Sequence, residues 1–258
     1  MSFQPPPIPT TNNPREHNYP YYSAAGEIRA PYLGSVLPDG SWTGHPAFCV
    51  GGGSSLERFN FRALRGQRTI GVNVAFMGFE PTIIFSMDTR CLRWIMTGQY
   101  DHKFKADVKS RFIGARSYKC WLLTFAADLP PGVFHLRAKV EYHSALDHFA
   151  RSIGEPLGTG NNSGFGALNL AYVLGAEPIY LLGYDMAIAP GGKSHWHAGH
   201  PFNLTQQTLD GFAGHFKRAA LIARQDHRRI INLNPDSKLH DFEFGDAERV
   251  LGPCWRKL

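Results

Sequence analysis

The chain has 258 residues, 43% of them hydrophobic and 19% charged, with a formal net charge of +6. That length can bury a full core and suits one domain plus an extension, while no run approaches the roughly 20 apolar residues of a membrane span. The N-terminus lacks the basic start and apolar run of a secretory signal, and the four cysteines (Cys49, Cys91, Cys120, Cys254) are scattered without a CxxC pair. This composition argues against a disulfide framework or a cysteine zinc site and points to free thiols in a reducing, cytoplasmic setting.

Residues 1–46 hold nine of the eighteen prolines, few aliphatic residues and no periodic pattern. Such a segment buries too little apolar surface to offset its ordering entropy, so it is expected to be an extended arm or a loose wrap that adds little to the core. Its tyrosines and Trp42 offer docking groups for the body or for a partner. From residue 47 to 258 the pattern is that of a nucleotide-binding α/β domain. Short apolar runs at Ala47–Val50, Thr69–Val72, Thr82–Ser86, Cys120–Thr124, Pro178–Leu182 and Arg229–Leu233 have the length and branched content of buried strands. Helices are expected between them at Ser55–Leu64, Thr89–Thr97, Ser163–Leu174 and Thr205–Gln225. The third is the clearest, with Ala167, Leu168, Leu170, Ala171 and Leu174 at helical spacing and Gly175 as a stop. Strands alternating with helices predict a Rossmann-like, mainly parallel sheet covered on both faces. In such sheets ligands sit beyond the carboxyl ends of the strands, so the residues after each strand are where chemistry is to be sought.

After the first strand comes Gly51-Gly52-Gly53-Ser54-Ser55-Leu56-Glu57. The glycines permit a tight turn, and Ser54 with Glu57 has capping-box spacing, so a helix start that presents N–H groups to a phosphate is expected. It is neither a P-loop nor a full GxGxxG, because no Gly-Lys-Ser/Thr follows and Leu56 fills the third glycine position. The next two strands end at Asn73 and Asp88, able to read a base, a sugar hydroxyl or a metal, or simply to build turns. Asn162-Ser163-Gly164 offers a polar cap to the clearest helix. The strand before residue 183 ends in Gly183-Tyr184-Asp185, a carboxylate at a strand terminus and a candidate catalytic group.

His195-Trp196-His197-Ala198-Gly199-His200-Pro201 brings three histidines into six residues. HxHxxH resembles the metallo-β-lactamase ligand run, but Gly199 stands where that family has Asp and no further ligand set accompanies it; three histidines alone underdetermine a site. The alternatives are acid–base chemistry on a mobile lid and plain loop histidines. Basic residues gather at Lys103, Lys105, Lys109, Arg111, Arg116 and Lys119, and again at Lys217, Arg218, Arg224, Arg228 and Arg229. They form either solvated helix faces or an attraction for a polyanion such as a nucleotide, a charged glycan or nucleic acid.

Taken in order, Gly51 through Asn73, Asn162-Ser163-Gly164, Gly183-Tyr184-Asp185, Gly199-His200 and Asn234-Pro235-Asp236-Ser237-Lys238-Leu239 resemble the bacterial sialyltransferases of glycosyltransferase family 42 and the related MptE-like proteins, including a group carried by phages. The resemblance covers residues 47–242. It implies a Rossmann-like fold with a nucleotide donor in the crevice, bound through Gly51, Gly53, Ser54, Asn73 and Ser163, and His200 as general base; Gly52, Asp88, Asn162 and Gly183, beside them at the strand and helix ends, complete the expected nucleotide-binding set. It also implies no required cofactor and no resident metal; like those sialyltransferases, the chain has no DxD. The tyrosines that hold the leaving phosphate there lie in a lid that is shorter here and lacks them. The MptE-like branch includes diphosphokinases that use ATP and magnesium, for which Asp88 is the matching carboxylate, and the phage relatives suggest a third possibility, a non-catalytic assembly protein. The expectation is a nucleotide-dependent transferase, first a glycosyltransferase with a nucleotide-sugar donor, with an anionic glycan or nucleic acid as a candidate acceptor. It would reside in the cytoplasm (a host's, if phage-encoded), with homo-oligomerisation open.

Overall fold

A computed structural model describes residues 21–23, 25–139, 148–197 and 204–257. Eight strands make one sheet: β1 (Ala47–Val50), β2 (Arg68–Val72), β3 (Ile83–Ser86), β4 (Tyr118–Leu123), β5 (Val133–Arg137), β6 (Ile179–Leu182), β7 (Ile230–Asn232) and β8 (Glu243–Phe244). Their order is β5-β4-β3-β2-β1-β6-β7-β8, and every neighbouring pair is parallel. The expected Rossmann-like α/β class is the observed one.

Side chains alternate across the sheet as a two-residue period requires. Ala47 and Cys49 of β1, Ile83 and Phe85 of β3, and Cys120 and Leu122 of β4 join the main core. Ile84, Trp121 and Leu123 meet the helices α1 (Thr89–Met96) and α3 (Val108–Gly114) on the opposite face, with the short α2 (Asp101–Phe104) between them. Also on that opposite face, Phe48 and Val50 pack with Leu56, Phe59 and Leu64. The helix α4 (Ser163–Val173) crosses β1, β2 and β3 and is buried on nearly every side, as expected of a helix apolar all round. Its one interior amide, Asn169, is fully buried and satisfied. It accepts from the N–H groups of Ala150 (3.0 Å) and Gly158 (2.9 Å) and donates to the Ala150 carbonyl (2.9 Å). The helices α5 (Gln206–Gln225) and α6 (Ala247–Leu251) complete the described layers, and no helix among the described residues is long and apolar enough to cross a membrane.

Three expectations change. The helix foreseen at Ser55–Leu64 is instead two single 3₁₀ turns, Ser54–Leu56 and Phe61–Leu64. The second is capped by Asn60, which accepts from the Arg62 N–H, so the chain breaks and restarts there. Two strands, β5 and β8, were not foreseen, nor were α2, α3 and α6. Residues 25–46, expected to add little to the core, bury Leu33 and Trp42 within it. The Trp42 N–H donates to the Leu174 carbonyl (2.7 Å). Upstream, residues 29–32 run beside β5, where the His135 N–H reaches the Pro31 carbonyl at 2.9 Å. That segment covers the free edge of β5, a standard protection against edge-to-edge pairing.

Candidate functional site

From β1 the chain steps outward through β2, β3, β4 and β5, then returns along α4 to lay β6 on the other side of β1. The strand order therefore reverses between β1 and β6, and the crevice beyond their carboxyl ends is the place where open parallel sheets bind ligands. Gly51-Gly52-Gly53 and Gly183-Tyr184-Asp185 face each other there.

The two turns are locked together. The Gly53 N–H donates to the Gly183 carbonyl at 2.9 Å, and a Cβ on Gly51 would lie 2.6 Å from that same oxygen. Gly183 has φ +68° and no room for a side chain beneath Leu56, so only glycine fits. Asp185 closes the arrangement. It is buried, and its carboxylate accepts from Ser55 N–H (2.8 Å), Ser55 Oγ (2.6 Å), Ser54 Oγ (3.3 Å) and Asn234 Nδ2 (2.8 Å). A Cβ on Gly53 would meet the Asp185 Cγ at 2.4 Å. The structure thus gives the triple glycine a use the sequence did not reveal: it lets the chain's own carboxylate approach the turn. With a negative charge already seated there, and a single 3₁₀ turn in place of a helix, Gly53 and Ser54 offer a phosphate no open helix terminus.

A true helix terminus lies alongside, at α4. Asn162 caps it, its Oδ1 accepting from the Phe165 N–H (2.9 Å) while its Nδ2 donates to the Gly160 carbonyl (2.8 Å). The preceding N–H groups, those of Ser163 and Gly164, belong to the first turn and have no intrahelical acceptor. Ser163 Oγ accepts from the Met87 N–H (3.2 Å), tying α4 to the end of β3. Gly164 lies against Tyr184, whose hydroxyl donates to the Gly164 carbonyl (2.9 Å). Burial, with the neighbouring Cys49 thiol adding to it, pushes the Tyr184 phenol well above its ordinary pKa, so this donor keeps its proton.

Asn73, at the end of β2, adopts a left-handed conformation (φ 55°). Its Oδ1 accepts from Ser86 Oγ (2.8 Å), which leaves its Nδ2 unbonded among the described residues. Asp88 caps α1 by accepting from the Arg90 N–H (2.8 Å) and forms a two-point ion pair with the Arg90 guanidinium (3.0 and 2.8 Å). Both of its oxygens thus accept from Arg90.

The histidine segment lies across the glycine turn. The Trp196 N–H donates to the Gly52 carbonyl (3.0 Å), and a Cβ on Gly52 would meet the His195 ring at 2.6 Å. His195 Nδ1 lies 2.8 Å from Ser194 Oγ, and the His197 ring sits 5.5 Å from that of Phe104 on α2. His200 lies outside the described residues. Among the described residues no three His, Cys, Asp or Glu side chains converge as a metal-holding group. Sequence reasoning missed Ser55, Ser86, Tyr184 and Trp196 as parts of this site; the only signal was their adjacency to residues it had chosen.

No family model matches the chain, and no curated protein matches it significantly. Two solved structures align with it at low similarity. One is the MAf glycosyltransferase from Magnetospirillum magneticum AMB-1, with 13% identity and a TM-score of 0.49 over 86% of this chain, which spans only 36% of that protein. The other is the sialyltransferase CstII from Campylobacter jejuni in complex with a substrate analogue, cytidine-5'-monophosphate, with 14% identity and a TM-score of 0.44 over 83% of this chain and 88% of that one. At these values the likenesses carry no functional weight.

Proposed function

We propose that the protein is a nucleotide-dependent transferase, most specifically a glycosyltransferase that takes a nucleotide-sugar donor at the β1/β6 switch point. The observation that carries this reading is the convergence at one crevice of the α4 N-terminus, the locked glycine turn, Asn73 and the overlying histidine segment. The donor's phosphate is assigned to the Ser163 and Gly164 N–H groups, where the helix dipole and unpaired donors favour an anion. Asn73 Nδ2 is free to bond a sugar or base oxygen. Gly51, Gly52 and Gly53 shape the wall, Asp185 holds that wall, and Asn162 holds the helix terminus.

His200 is the proposed general base, a role implied by the motif resemblance; it stands three positions after His197, the last described residue of the segment over the crevice. The acceptor hydroxyl oxygen attacks the anomeric carbon, the bond from that carbon to the nucleotide phosphate breaks, and the nucleotide leaves with the electron pair. The acceptor's proton passes to the imidazole. The step needs no redox partner, and Asp88, bound to Arg90, is not assigned to it. Single-turnover transfer with His200→Ala tests this. Loss of about 10²–10⁴ in rate with nucleotide affinity retained is expected of a positioned base. An unchanged rate would remove His200 from the mechanism, and turnover that requires ATP and magnesium would replace the reading with a diphosphokinase.

A further inference from the structure

The segment from Asp101 to Lys119 carries six lysines and arginines against two aspartates, a net of +4 within a chain whose total is +6. The structure makes one exposed face of most of it. His102, Lys103, Lys105, Lys109, Arg111 and Arg116 are all exposed, and none forms a salt bridge with the described residues. The nearby acids are turned to other donors. Asp101 accepts from the Val108 N–H, Asp107 from Ser110, and Glu80 from the Arg116 N–H. Val108 and Phe112 anchor α3 to the body, so the basic side chains stand on a fixed support.

Two further facts give this face a direction. Phe104, between Lys103 and Lys105, touches the His197 ring at 5.5 Å, so one end of the stripe abuts the segment over the crevice. Arg116 lies at the other end, beside Glu80 and Pro81 at the start of β3, so the stripe runs the depth of the sheet. A small anion needs no such length; a linear polymer with repeated charges does. The only large apolar side chain strongly exposed on this face is Ile113. Single-stranded nucleic acid is bound by exposed aromatic rings on which bases stack, whereas the aromatic side chains of this face among the described residues, Phe104 and Tyr118, are only partly exposed and already packed against His197 and Phe134.

We infer that the α2–α3 face docks an acidic glycan, feeding its end toward the crevice. The inference rests on the transferase reading for the word "acceptor", but the docking surface is tested separately. The probe is a fluorescent oligogalacturonate, compared with a neutral oligosaccharide of equal length and with single-stranded DNA of equal charge. Nucleotide binding is measured on the same proteins.

Wild type is expected to bind the oligogalacturonate and not the neutral chain, with an affinity that falls as salt rises. The variant Lys103→Gln/Lys105→Gln/Lys109→Gln/Arg111→Gln is expected to lose at least about tenfold in affinity and to flatten the salt dependence. A control, Lys217→Gln/Arg218→Gln on α5, is expected to match wild type. Equal glycan binding by wild type and the four-site variant, or none by either, overturns the docking surface. Tighter binding of DNA than of the glycan overturns the assigned partner. Glycan binding that depends on the four residues, in a protein that binds no nucleotide, upholds the surface and sinks the transferase reading instead.

Discussion

Replacing Asp185 by alanine removes the carboxylate that holds the glycine turn to β6 and β7. Two of its partners, the Ser55 N–H at 2.8 Å and Asn234 Nδ2 at 2.8 Å, are fixed in direction and lose their acceptor, while the Ser54 and Ser55 hydroxyls can rotate to water. An unsatisfied buried donor costs about 1–3 kcal/mol; Asn234 is buried while Ser55 is exposed, so Asp185→Ala is expected to lose about 1–3 kcal/mol of a total near 5–15 kcal/mol. Gly53→Ala forces a Cβ to 2.4 Å from the Asp185 Cγ, an overpacking worth about 1–3 kcal/mol. The two costs share one cause. In the double variant the added methyl no longer meets a carboxylate, so the pair should fall short of additivity by about 1 kcal/mol or more. Equilibrium guanidinium unfolding of the four proteins measures the cycle. Strict additivity, or an Asp185→Ala protein as stable as wild type, would refute the reasoning that the turn is built around this charge.

Two smaller predictions follow from burial and pairing. Cys49, Cys91 and Cys120 are buried while Cys254 is exposed, and burial pushes the Cys49 and Cys91 thiols up to about 12. A thiol-reactive disulfide reagent should therefore titrate one cysteine rapidly in the native protein and four after denaturation. Asp226 is held down to about 2 by hydrogen bonds from Arg151 and then Tyr172. A depressed carboxyl contributes stability present above its unfolded pKa and lost as pH falls through the folded one. Tyr172→Phe should make stability fall less steeply between about pH 4 and pH 2, as read from denaturant midpoints; an identical acid limb would contradict the assignment.

The sheet was largely legible because β1, β2, β3, β4, β6 and β7 are apolar runs whose burial on both faces is written into their composition. Strand β5 was not, since Val133–Arg137 carries a histidine and an arginine and gains its outer partner from residues 29–32, about a hundred positions earlier. The α4 terminus was legible because Asn162 caps it within three residues. The glycine turn misled for the opposite reason. Ser54 and Glu57 have the spacing of a capping box, yet Ser54 Oγ donates to Asp185 and Glu57 accepts from Lys193 at 2.5 Å. Both local partners are claimed by residues more than 130 positions away, and the helix they would have started does not form. Local chemistry reads correctly only where no distant group competes for it.

The claim that the crevice holds a nucleotide phosphate at the α4 terminus is tested most directly by calorimetry with Ser163→Asp. Ser163 is buried, so a carboxylate there carries a desolvation cost, which the helix dipole and the Met87 N–H it can still accept from offset, and the variant is expected to fold. Its charge stands where the phosphate is assigned. The account predicts that wild type binds at least one nucleoside mono- or diphosphate or nucleotide sugar from a panel, and that Ser163→Asp binds it at least about tenfold more weakly, a loss of about 1.4 kcal/mol. Equal affinity in the two proteins, with the variant folded, would put the anion elsewhere, and a wild-type protein that binds none of the panel would contradict the account altogether.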